Sequence, residues 1–235
     1  IRWRESSMNL DEMGLPDLAI NKRVNLSEHV ITVLKDAILS GALPPGSRLV
    51  EDQLAKMLNV SKTPLREALG ALEKEGLVKS SPYQGRSVAF ISPAQLSEIY
   101  EVREVLEGLA ARLAAEHATP ELDKKLEQCI LMSEQAVKTM NTEEFLHYDR
   151  EFHRILVEAS QNETLRQMHE LLRYKIMLGQ VNSAYGKQRK HESISEHLEV
   201  LKAIQSRNPN DCEAAMRRHI ANLTSECPVP CLMTP

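Results

Sequence analysis

Aromatic side chains are scarce in this 235-residue sequence: three Phe, five Tyr and one Trp make up 4% of it. The sequence also has no run of eighteen apolar residues, which excludes a membrane-spanning helix, and its opening stretch IRWRESSMNL lacks the apolar segment of a secretory signal. Hydrophobic residues still make up 42%, enough for the cores of one large or two ordinary domains. We therefore expect a globular, cytoplasmic protein with no membrane partner, rich in helix because Ala, Leu and Glu are plentiful.

Cysteine is sparse as well, with four residues in the whole sequence: Cys129, Cys212, Cys227 and Cys231. The last two lie in the proline-bracketed segment CPVPC, and none of the four has the spacing of a zinc knuckle. This pattern favours reduced thiols with a structural role over a disulfide framework.

An excess of positive charge is also absent. The net charge is −4, which by itself argues against a nucleic-acid binder. The charge is unevenly distributed, because residues 1–92 carry 12 basic and 11 acidic residues whereas residues 93–235 carry 17 and 22. Between Ser47 and Arg86 there are seven basic and five acidic residues, so the charge of this segment permits DNA binding without demonstrating it.

Three helices are predicted in the first part of the chain, over residues 27–39, 51–58 and about 61–75, because apolar residues recur there at helical spacing. The segment ALPPGSRL is a turn, since its prolines cannot continue a helix. The short connection NVSKT between the second and third helices is typical of a helix-turn-helix. We expect Ser61 to cap the third helix with its hydroxyl, and the run LVKSSPYQGRSVAFI to form a β hairpin, or wing, divided by Pro82 and Gly85.

The segment GALPPGSRLVEDQLAKMLNVSKTPLREALGALEKEGLV closely resembles the winged helix-turn-helix of the GntR family of bacterial transcription regulators. The resemblance implies that the third helix begins at the DNA, where its N–H groups and dipole favour a phosphate and its side chains enter the major groove. The implied DNA-facing residues are Ser61, Lys62, Thr63 and Arg66 on this helix, Gln84 and Gly85 at the wing tip, and Arg48 in the turn. Lys62 stands where many relatives have arginine, so a different operator base or a phosphate contact is open there.

A second, all-helical domain is predicted after the joint FISPAQ, where Ser92 and Gln95 form a capping box and Pro93 fits the first turn. Apolar periodicity predicts six helices, over about 93–117, 121–139, 142–160, 162–183, 190–206 and 209–226. This arrangement resembles the ligand-binding domain of the FadR subfamily in a short six-helix form. The predicted fold is mainly α, with an N-terminal winged helix-turn-helix that includes a small β hairpin and a C-terminal antiparallel helical bundle.

The predicted organisation has four parts. Residues 1–24 are an N-terminal extension and a candidate for disorder, and residues 25–91 are the DNA-binding domain. Residues 92–227 are the helical effector-binding and metal-binding domain, and residues 228–235 are a tail.

Asp149 and His153 lie one turn apart on the apolar face of EEFLHYDREFHRILVEAS, where an ionised carboxylate is costly unless it is paired or metal-bound. His197 and His219 lie on apolar faces of two later helices. A single histidine in such a place is more often a hydrogen-bonded core residue. The metal-binding members of the FadR subfamily carry an aspartate and a histidine four apart and one histidine on each of two later helices. The resemblance therefore implies a metal site of Asp149, His153, His197 and His219, which suits zinc first and also nickel, manganese or iron.

Arg103 lies on the apolar face of the first helix of this domain, with Glu107 one turn later. One interpretation is an internal Arg103–Glu107 pair, since the helical spacing allows it. The other is an arginine that binds a carboxylate effector bidentately, which the resemblance modestly favours. Arg173, Tyr174 and Tyr185 are further candidates for the lining of an effector pocket.

The sequence predicts a homodimeric, ligand-responsive transcription regulator rather than an enzyme. A small carboxylate effector would fill open positions of the metal and change the relative orientation of the two DNA-binding domains on a pseudo-palindromic operator. Two alternatives stay open. One is a metalloenzyme that uses the Asp/His site to activate water, and the other is a direct metal sensor in which the ion itself is the signal.

Overall fold

The computed structural model describes residues 26–83, 85–182 and 187–225, and within these ranges the chain is mainly helical with one small sheet. The first part contains α1 (Leu26–Leu39), β1 (Arg48–Leu49), α2 (Glu51–Met57), α3 (Lys62–Lys74), β2 (Val78–Ser81) and β3 (Gly85–Val88). The second part contains α4 (Pro93–Glu116), α5 (Pro120–Lys138), α6 (Thr142–Ala159), α7 (Glu163–Asn182), α8 (Lys187–Gln205) and α9 (Pro209–Ser225). The predicted fold class is confirmed. The predicted extension, the tail, Cys227 and Cys231 lie outside the described residues.

The helices and the sheet of the first part share one hydrophobic core. Leu34 and Ile38 of α1 and Leu65 and Leu69 of α3 are at most 2% exposed, because the four-residue spacing of each pair aligns both members on one helix face. The sheet is antiparallel with strand order β1-β3-β2. This core fixes the start of α3 relative to the β2–β3 hairpin.

Three local features of the first part differ from the sequence prediction. Strand β1 was not predicted, because two residues are too few to show a β periodicity. Ser61 occupies the N-cap of α3, but its hydroxyl makes no capping hydrogen bond, since this exposed helix start can be satisfied by solvent instead. Gly85 begins β3 instead of dividing the hairpin, and it does so with a φ of 80°, which favours glycine.

The second part is a helical bundle in which α4 packs most extensively on α9, and α5 packs on α6. The predicted capping box at its start is confirmed: Ser92 Oγ accepts the Gln95 N–H at 3.2 Å, and Gln95 Oε1 accepts the Ser92 N–H at 3.0 Å. The core of the bundle includes Phe152 of α6, Ile204 of α8 and Met216 of α9, none of them measurably exposed. The inward faces of α6, α8 and α9 therefore meet in one buried region.

Helix α7 contacts both parts of the chain. At Gly179 it approaches α4 so closely that an added Cβ would overlap Leu96. Its next residue toward the N-terminus, Leu178, is fully buried in the core of the first part. A shift of α7 would therefore change its packing on both α4 and the core of the first part. None of the helices in the described ranges combines the length and apolarity needed to cross a membrane.

Candidate metal centre and nucleic-acid interface

Three buried histidines from three helices converge on one point. His153 lies on α6, His197 on α8 and His219 on α9, and each is at most 2% exposed. Their Nε2 atoms form a nearly equilateral triangle, with distances of 3.3 Å from His153 to His197, 3.2 Å from His197 to His219 and 3.3 Å from His219 to His153. A tetrahedral zinc ion with Zn–N bonds of about 2.0–2.1 Å separates its nitrogen ligands by about 3.3–3.4 Å. The triangle therefore has the dimensions of three ligands of one ion.

Carboxylates approach the outer nitrogens of two of these rings. Nδ1 of His219 lies 2.7 Å from Oε2 of Glu196 in a hydrogen bond. Nδ1 of His153 lies 2.6 Å from Oε2 of Glu107, although the N–H direction there is not ideal for a hydrogen bond. A proton held on Nδ1 leaves the Nε2 lone pair free for a metal, which is the usual role of a carboxylate behind a metal-bound histidine.

The surroundings of His197 and His219 favour the neutral imidazole at both positions. Burial, together with the neighbouring His219 and His153, holds the pKa of His197 well below its ordinary value. Burial also lowers the pKa of His219, although the hydrogen bond to Glu196 opposes this. Three imidazoles that direct their Nε2 atoms at one another either share protons or bind a cation. This donor set fits a divalent ion of the zinc type.

Asp149, the fourth predicted ligand, lies beside the triangle. Its side chain is buried, Oδ1 lies 3.8 Å from Nε2 of His197, and the same oxygen accepts a hydrogen bond from Ser193 Oγ at 3.1 Å. In the part of the chain that the structure describes, the cluster whose ligand atoms all lie close enough to share an ion consists of the three histidines. The structure thus brings three of the four predicted residues together and places Asp149 at their edge.

A cavity of about 200 Å³ adjoins this centre, with His153 in its wall. Its lining is dominated by charged side chains from α4, α6 and α7 and includes four arginines, three histidines and three glutamates. The lining residues are Arg103, Glu107, His147, Arg150, Glu151, His153, Arg154, His169, Glu170, Arg173 and Ile176. Each glutamate pairs with an arginine of the same lining, so one arginine charge is left in excess, which suits a small anion.

Arg103 and Glu107 form the internal pair that the helical spacing allows. Nε of Arg103 donates to Oε1 of Glu107 at 2.7 Å, and both side chains are at most 3% exposed. Burial would raise the pKa of Glu107, but Arg103 and His153 outweigh it and hold that pKa well below its usual range. Among the described residues, nothing accepts a hydrogen bond from Nη1 of Arg103, which is fully buried. The pair therefore leaves one arginine donor for a ligand.

The remaining predicted effector residues are dispersed. Arg173 lines the cavity from α7. The hydroxyl of Tyr174 lies instead against the first part of the chain, where it accepts a hydrogen bond from Lys35 Nζ at 3.0 Å. Tyr174 is not among the residues that line the cavity, although the guanidinium of Arg173 lies 5.2 Å from the centre of its ring. Tyr185 lies outside the described residues.

Several residues of this region were not predicted. The ring Nε2 of His169 lies 3.0 Å from Oε1 of Glu107, and Arg150 also lines the cavity.

Glu196 was not predicted either. It is adjacent to His197 on α8 but bonds His219 and Arg189 rather than His197. Burial would raise the pKa of Glu196, but hydrogen bonds from His219, Arg189 and Asn222 lower it to about 2. Only the packing of α8 on α9 reveals this pairing, so no local sequence signal could have found it.

At the start of α3, the exposed residues Ser61, Lys62, Thr63 and Arg66 share one end of the helix. Lys62 Nζ lies 2.6 Å from Oδ1 of Asp52, and Arg66 Nε donates to Oε2 of Glu51 at 2.7 Å. Both carboxylates belong to the first turn of α2. The two predicted DNA-binding cations are thus exposed and already paired within the protein.

Arg48, Arg66 and Gly85 line a groove of about 540 Å³ between α3 and the hairpin, together with Arg86, which was not predicted. Arg86 Nη1 donates to Oε1 of Glu51 at 3.0 Å. Gln84 lies outside the described residues. The groove therefore contains arginines from β1, α3 and β3, and two of them, Arg66 and Arg86, share the carboxylate of Glu51.

Both parts of the chain are similar to known protein families. The family described as bacterial regulatory proteins, gntR family, matches residues 26–88, and the FCD domain family matches residues 98–222. An uncharacterized HTH-type transcriptional regulator, YdhC of Bacillus subtilis, is 32% identical over 83% of this chain and 86% of its own length. The Nta operon transcriptional regulator of Aminobacter aminovorans is 32% identical over 75% of this chain and 82% of its own length. The solved structure of E. coli McbR/YncC is 28% identical and superposes with a TM-score of 0.73 over 86% of this chain and 97% of that one.

Proposed function

The chain belongs to the GntR family of bacterial regulatory proteins and is a transcription regulator with a helix-turn-helix domain and an FCD domain, and we propose that a small carboxylate bound beside a metal ion controls its DNA binding. The observation that carries this proposal is the buried triangle of Nε2 atoms of His153, His197 and His219 next to an arginine-lined cavity.

The metal would be held by the three histidines, with Asp149 as a fourth ligand. An oxygen and three imidazole nitrogens suit zinc best, and nickel, manganese or iron also accept this set. Asp149 is supported by its buried position 3.8 Å from Nε2 of His197 and by Ser193, which fixes one of its oxygens. Bound in this way, the ion would supply a Lewis-acidic position for an anionic ligand, and it would crosslink α6, α8 and α9.

The effector would occupy the cavity beside the metal. Arg103 supports an acidic ligand, since its Nη1 is buried and unpaired among the described residues. Arg150 and Arg173 line the same cavity and would bind further acidic or hydroxyl groups. The pair between Arg103 and Glu107 is compatible with this role, because it uses Nε and leaves Nη1 for a carboxylate.

Helix α7 offers a route from this cavity to the DNA-binding domain. His169 and Arg173 contact or line the cavity, whereas Tyr174 and Leu178 pack on the first part of the chain. Lys35 of α1 donates hydrogen bonds to both Tyr174 and Glu75, the C-cap residue of α3. An effector that displaces α7 would therefore act on the orientation of the DNA-binding domain and shift its affinity for DNA.

The DNA contacts would come from α3 and the wing, through the predicted residues Arg48, Ser61, Lys62, Thr63, Arg66, Gln84 and Gly85. One winged helix covers one half-site, so we expect a homodimer on a short pseudo-palindromic operator. Apolar side chains exposed on α4 and α7 support a self-association surface: Val102 and Val105 are each 50% exposed, and Leu171 is 75% exposed.

The test begins by selecting duplexes that the zinc-loaded protein binds from a random 30-bp pool. The affinity for the selected duplex is then measured with and without each member of a panel of small carboxylates. We expect an enriched inverted repeat bound by two chains, and at least one carboxylate that changes the affinity in zinc-loaded but not in metal-free protein. A metal that alone controls affinity, with no response to any carboxylate, would instead identify a direct metal sensor. Turnover of a carboxylate would favour a metalloenzyme.

A further inference from the structure

Glu51 connects the two elements that reach the DNA. It lies in the first turn of α2, and its two oxygens have different partners. Oε2 accepts the Nε–H of Arg66 on α3 at 2.7 Å, and Oε1 accepts an Nη1–H of Arg86 on β3 at 3.0 Å. One carboxylate thus ties the recognition helix to the wing strand.

We propose that Glu51 is a positioning residue for DNA sequence recognition, because it holds Arg66 and Arg86 at a fixed separation before DNA binds. This inference rests on the proposed role of Arg66 in DNA binding. Among the described residues that line the groove between α3 and the hairpin, Glu51 is the one acidic residue, and Arg48, Arg66 and Arg86 also lie there. A negative charge there would weaken attraction to phosphates if it had no other purpose.

Folding stability does not account for the pair between Glu51 and Arg66. The side chain of Arg66 is 61% exposed and that of Glu51 is 27% exposed. Ion pairs with this much solvent contact add little to the free energy of unfolding, because water screens the attraction and the side chains lose conformational freedom. The consequence of the pairing therefore lies in where the guanidinium groups are held.

The geometry suits a base-reading arginine. Arginine recognises guanine through a planar fork of two N–H donors, and its long side chain loses conformational entropy when that fork is fixed. The bond from Nε of Arg66 to Glu51 fixes the plane of the guanidinium while the two Nη groups remain for another partner. Binding to DNA then costs less ordering of this side chain. Arg86 is held through Nη1 instead, and its Nε lies 3.8 Å from Oε2 of Glu73 on α3, so two carboxylates keep the wing strand beside α3.

The neighbouring pair of Asp52 and Lys62 provides a matched comparison. Nζ of Lys62 lies 2.6 Å from Oδ1 of Asp52, with side-chain exposures of 50% and 76%. Asp52 follows Glu51 in the same helical turn and carries the same charge near the same surface. An ammonium group has no plane to orient, so loss of Asp52 should change only the charge.

The experiment measures the affinities of E51Q, D52N, R66A and the E51Q/R66A double variant by fluorescence anisotropy. Two labelled duplexes serve as probes, namely the duplex that the wild-type protein selects from a random 30-bp pool and a scrambled duplex of the same composition. Thermal unfolding of each variant checks that the fold is kept. The decisive quantity is the ratio of the two affinities.

We expect E51Q to weaken binding to the selected duplex by about tenfold, near the lower end of what a bidentate arginine contributes at one base pair. Binding to the scrambled duplex should stay the same or strengthen, because a negative charge is lost. D52N should increase the affinity for both duplexes equally and leave the ratio of the two affinities unchanged. E51Q should weaken binding by less in the R66A background than in the wild-type protein, since part of its effect acts through Arg66 and the two changes are then not additive.

If E51Q increased the affinity for both duplexes equally, as is expected of D52N, the proposal would be overturned and Glu51 would contribute only charge. Full additivity of E51Q and R66A would overturn it as well. Unchanged binding by R66A would remove the proposed α3 interface itself. Weakened binding by R66A together with an unchanged ratio in E51Q would leave that interface intact and refute the role of Glu51 alone.

Discussion

Nδ1 of His153 lies 2.6 Å from Oε2 of Glu107, and each side chain is only 2% exposed. The other oxygen of Glu107 accepts hydrogen bonds from Nε of Arg103 and from the His169 ring. Glu107 is therefore shared between the candidate metal centre and the candidate effector cavity. A ligand that engages Arg103 would alter the surroundings of Glu107, and through it the orientation of His153.

Replacing Glu107 with glutamine should lower zinc affinity by about 10- to 100-fold, the usual effect of losing a partner behind a metal-bound histidine. The glutamine keeps the shape but removes the charge that faces Nδ1 of His153. The affinity can be measured by competition with a chromophoric chelator. Glu104→Gln is the matched control, since Glu104 lies on the same helix and approaches Arg217 instead. Equal zinc affinities in the two variants would mean that Glu107 does not support the metal.

Arg66→Ala and Lys62→Ala should each weaken binding to the selected duplex without loss of helical content, since both side chains are at least half exposed. A residue that contacts only phosphate should lower the salt slope by about one unit and weaken all sequences alike. A residue that reads a base should cost about 1–3 kcal/mol and relax specificity at one position. Anisotropy titrations at several salt concentrations distinguish these outcomes. Wild-type affinity in both variants would refute the interface.

The sequence predicted the helices and the inward faces well, because both follow from local periodicity. The spacing of Asp149 and His153 placed both on the buried face of α6, as the structure shows. His197 and His219 were likewise assigned to apolar faces, and the structure buries both. Their convergence on one point was expected from the resemblance and not from the residues themselves.

The pairings between helices could not be predicted from the sequence. Glu196 bonds His219 across the α8–α9 contact, and Glu51 bonds Arg66 across the α2–α3 contact. A helical pattern specifies which face is buried, but not which residue on another helix it will meet. Tyr174 illustrates the same point, since its helix contacts two parts of the chain and its own partner lies 139 positions away at Lys35.

Tyr174→Phe should weaken the coupling between effector and DNA. The change removes the hydroxyl that accepts from Lys35 but keeps the ring, over which Lys35 Nζ lies at 4.6 Å. We expect the carboxylate identified in the panel to change DNA affinity less in this variant than in the wild-type protein. Tyr148→Phe is the control, because Tyr148 lies on α6 against the ring of His147. An undiminished response in Tyr174→Phe would exclude this contact as part of the route.

The metal-free protein should lose stability as the pH falls below about 6.5. Burial lowers the pKa values of His197 and His219 in the folded state. Above that pH, both rings are neutral in the folded and the unfolded states. Below it, the two histidines bind protons in the unfolded chain but stay neutral in the folded chain. The free energy of unfolding should then fall by up to about 1.4 kcal/mol per pH unit for each histidine.

Urea denaturation between pH 8 and pH 5.5, in the presence of a chelator, measures this dependence. His191→Ala is a suitable control, because His191 is exposed on α8 and should leave the slope unchanged. A free energy of unfolding that stays constant down to pH 5.5 would show that the buried rings do not remain neutral.

The central claim is that His153, His197 and His219, with Asp149, bind a metal ion, and elemental analysis of the purified protein tests it most directly. Without chelator during purification, we expect about one divalent ion per chain, as the single triangle of nitrogens implies. His197→Ala should lose most of the metal and the effector response but keep DNA binding, whereas His191→Ala should retain the metal. Removing the ion should lower the melting temperature, since a ligand of the folded state is lost. A protein that contains no metal, and takes up none from zinc, nickel or manganese, would contradict the account and leave the three histidines as core hydrogen-bonding groups.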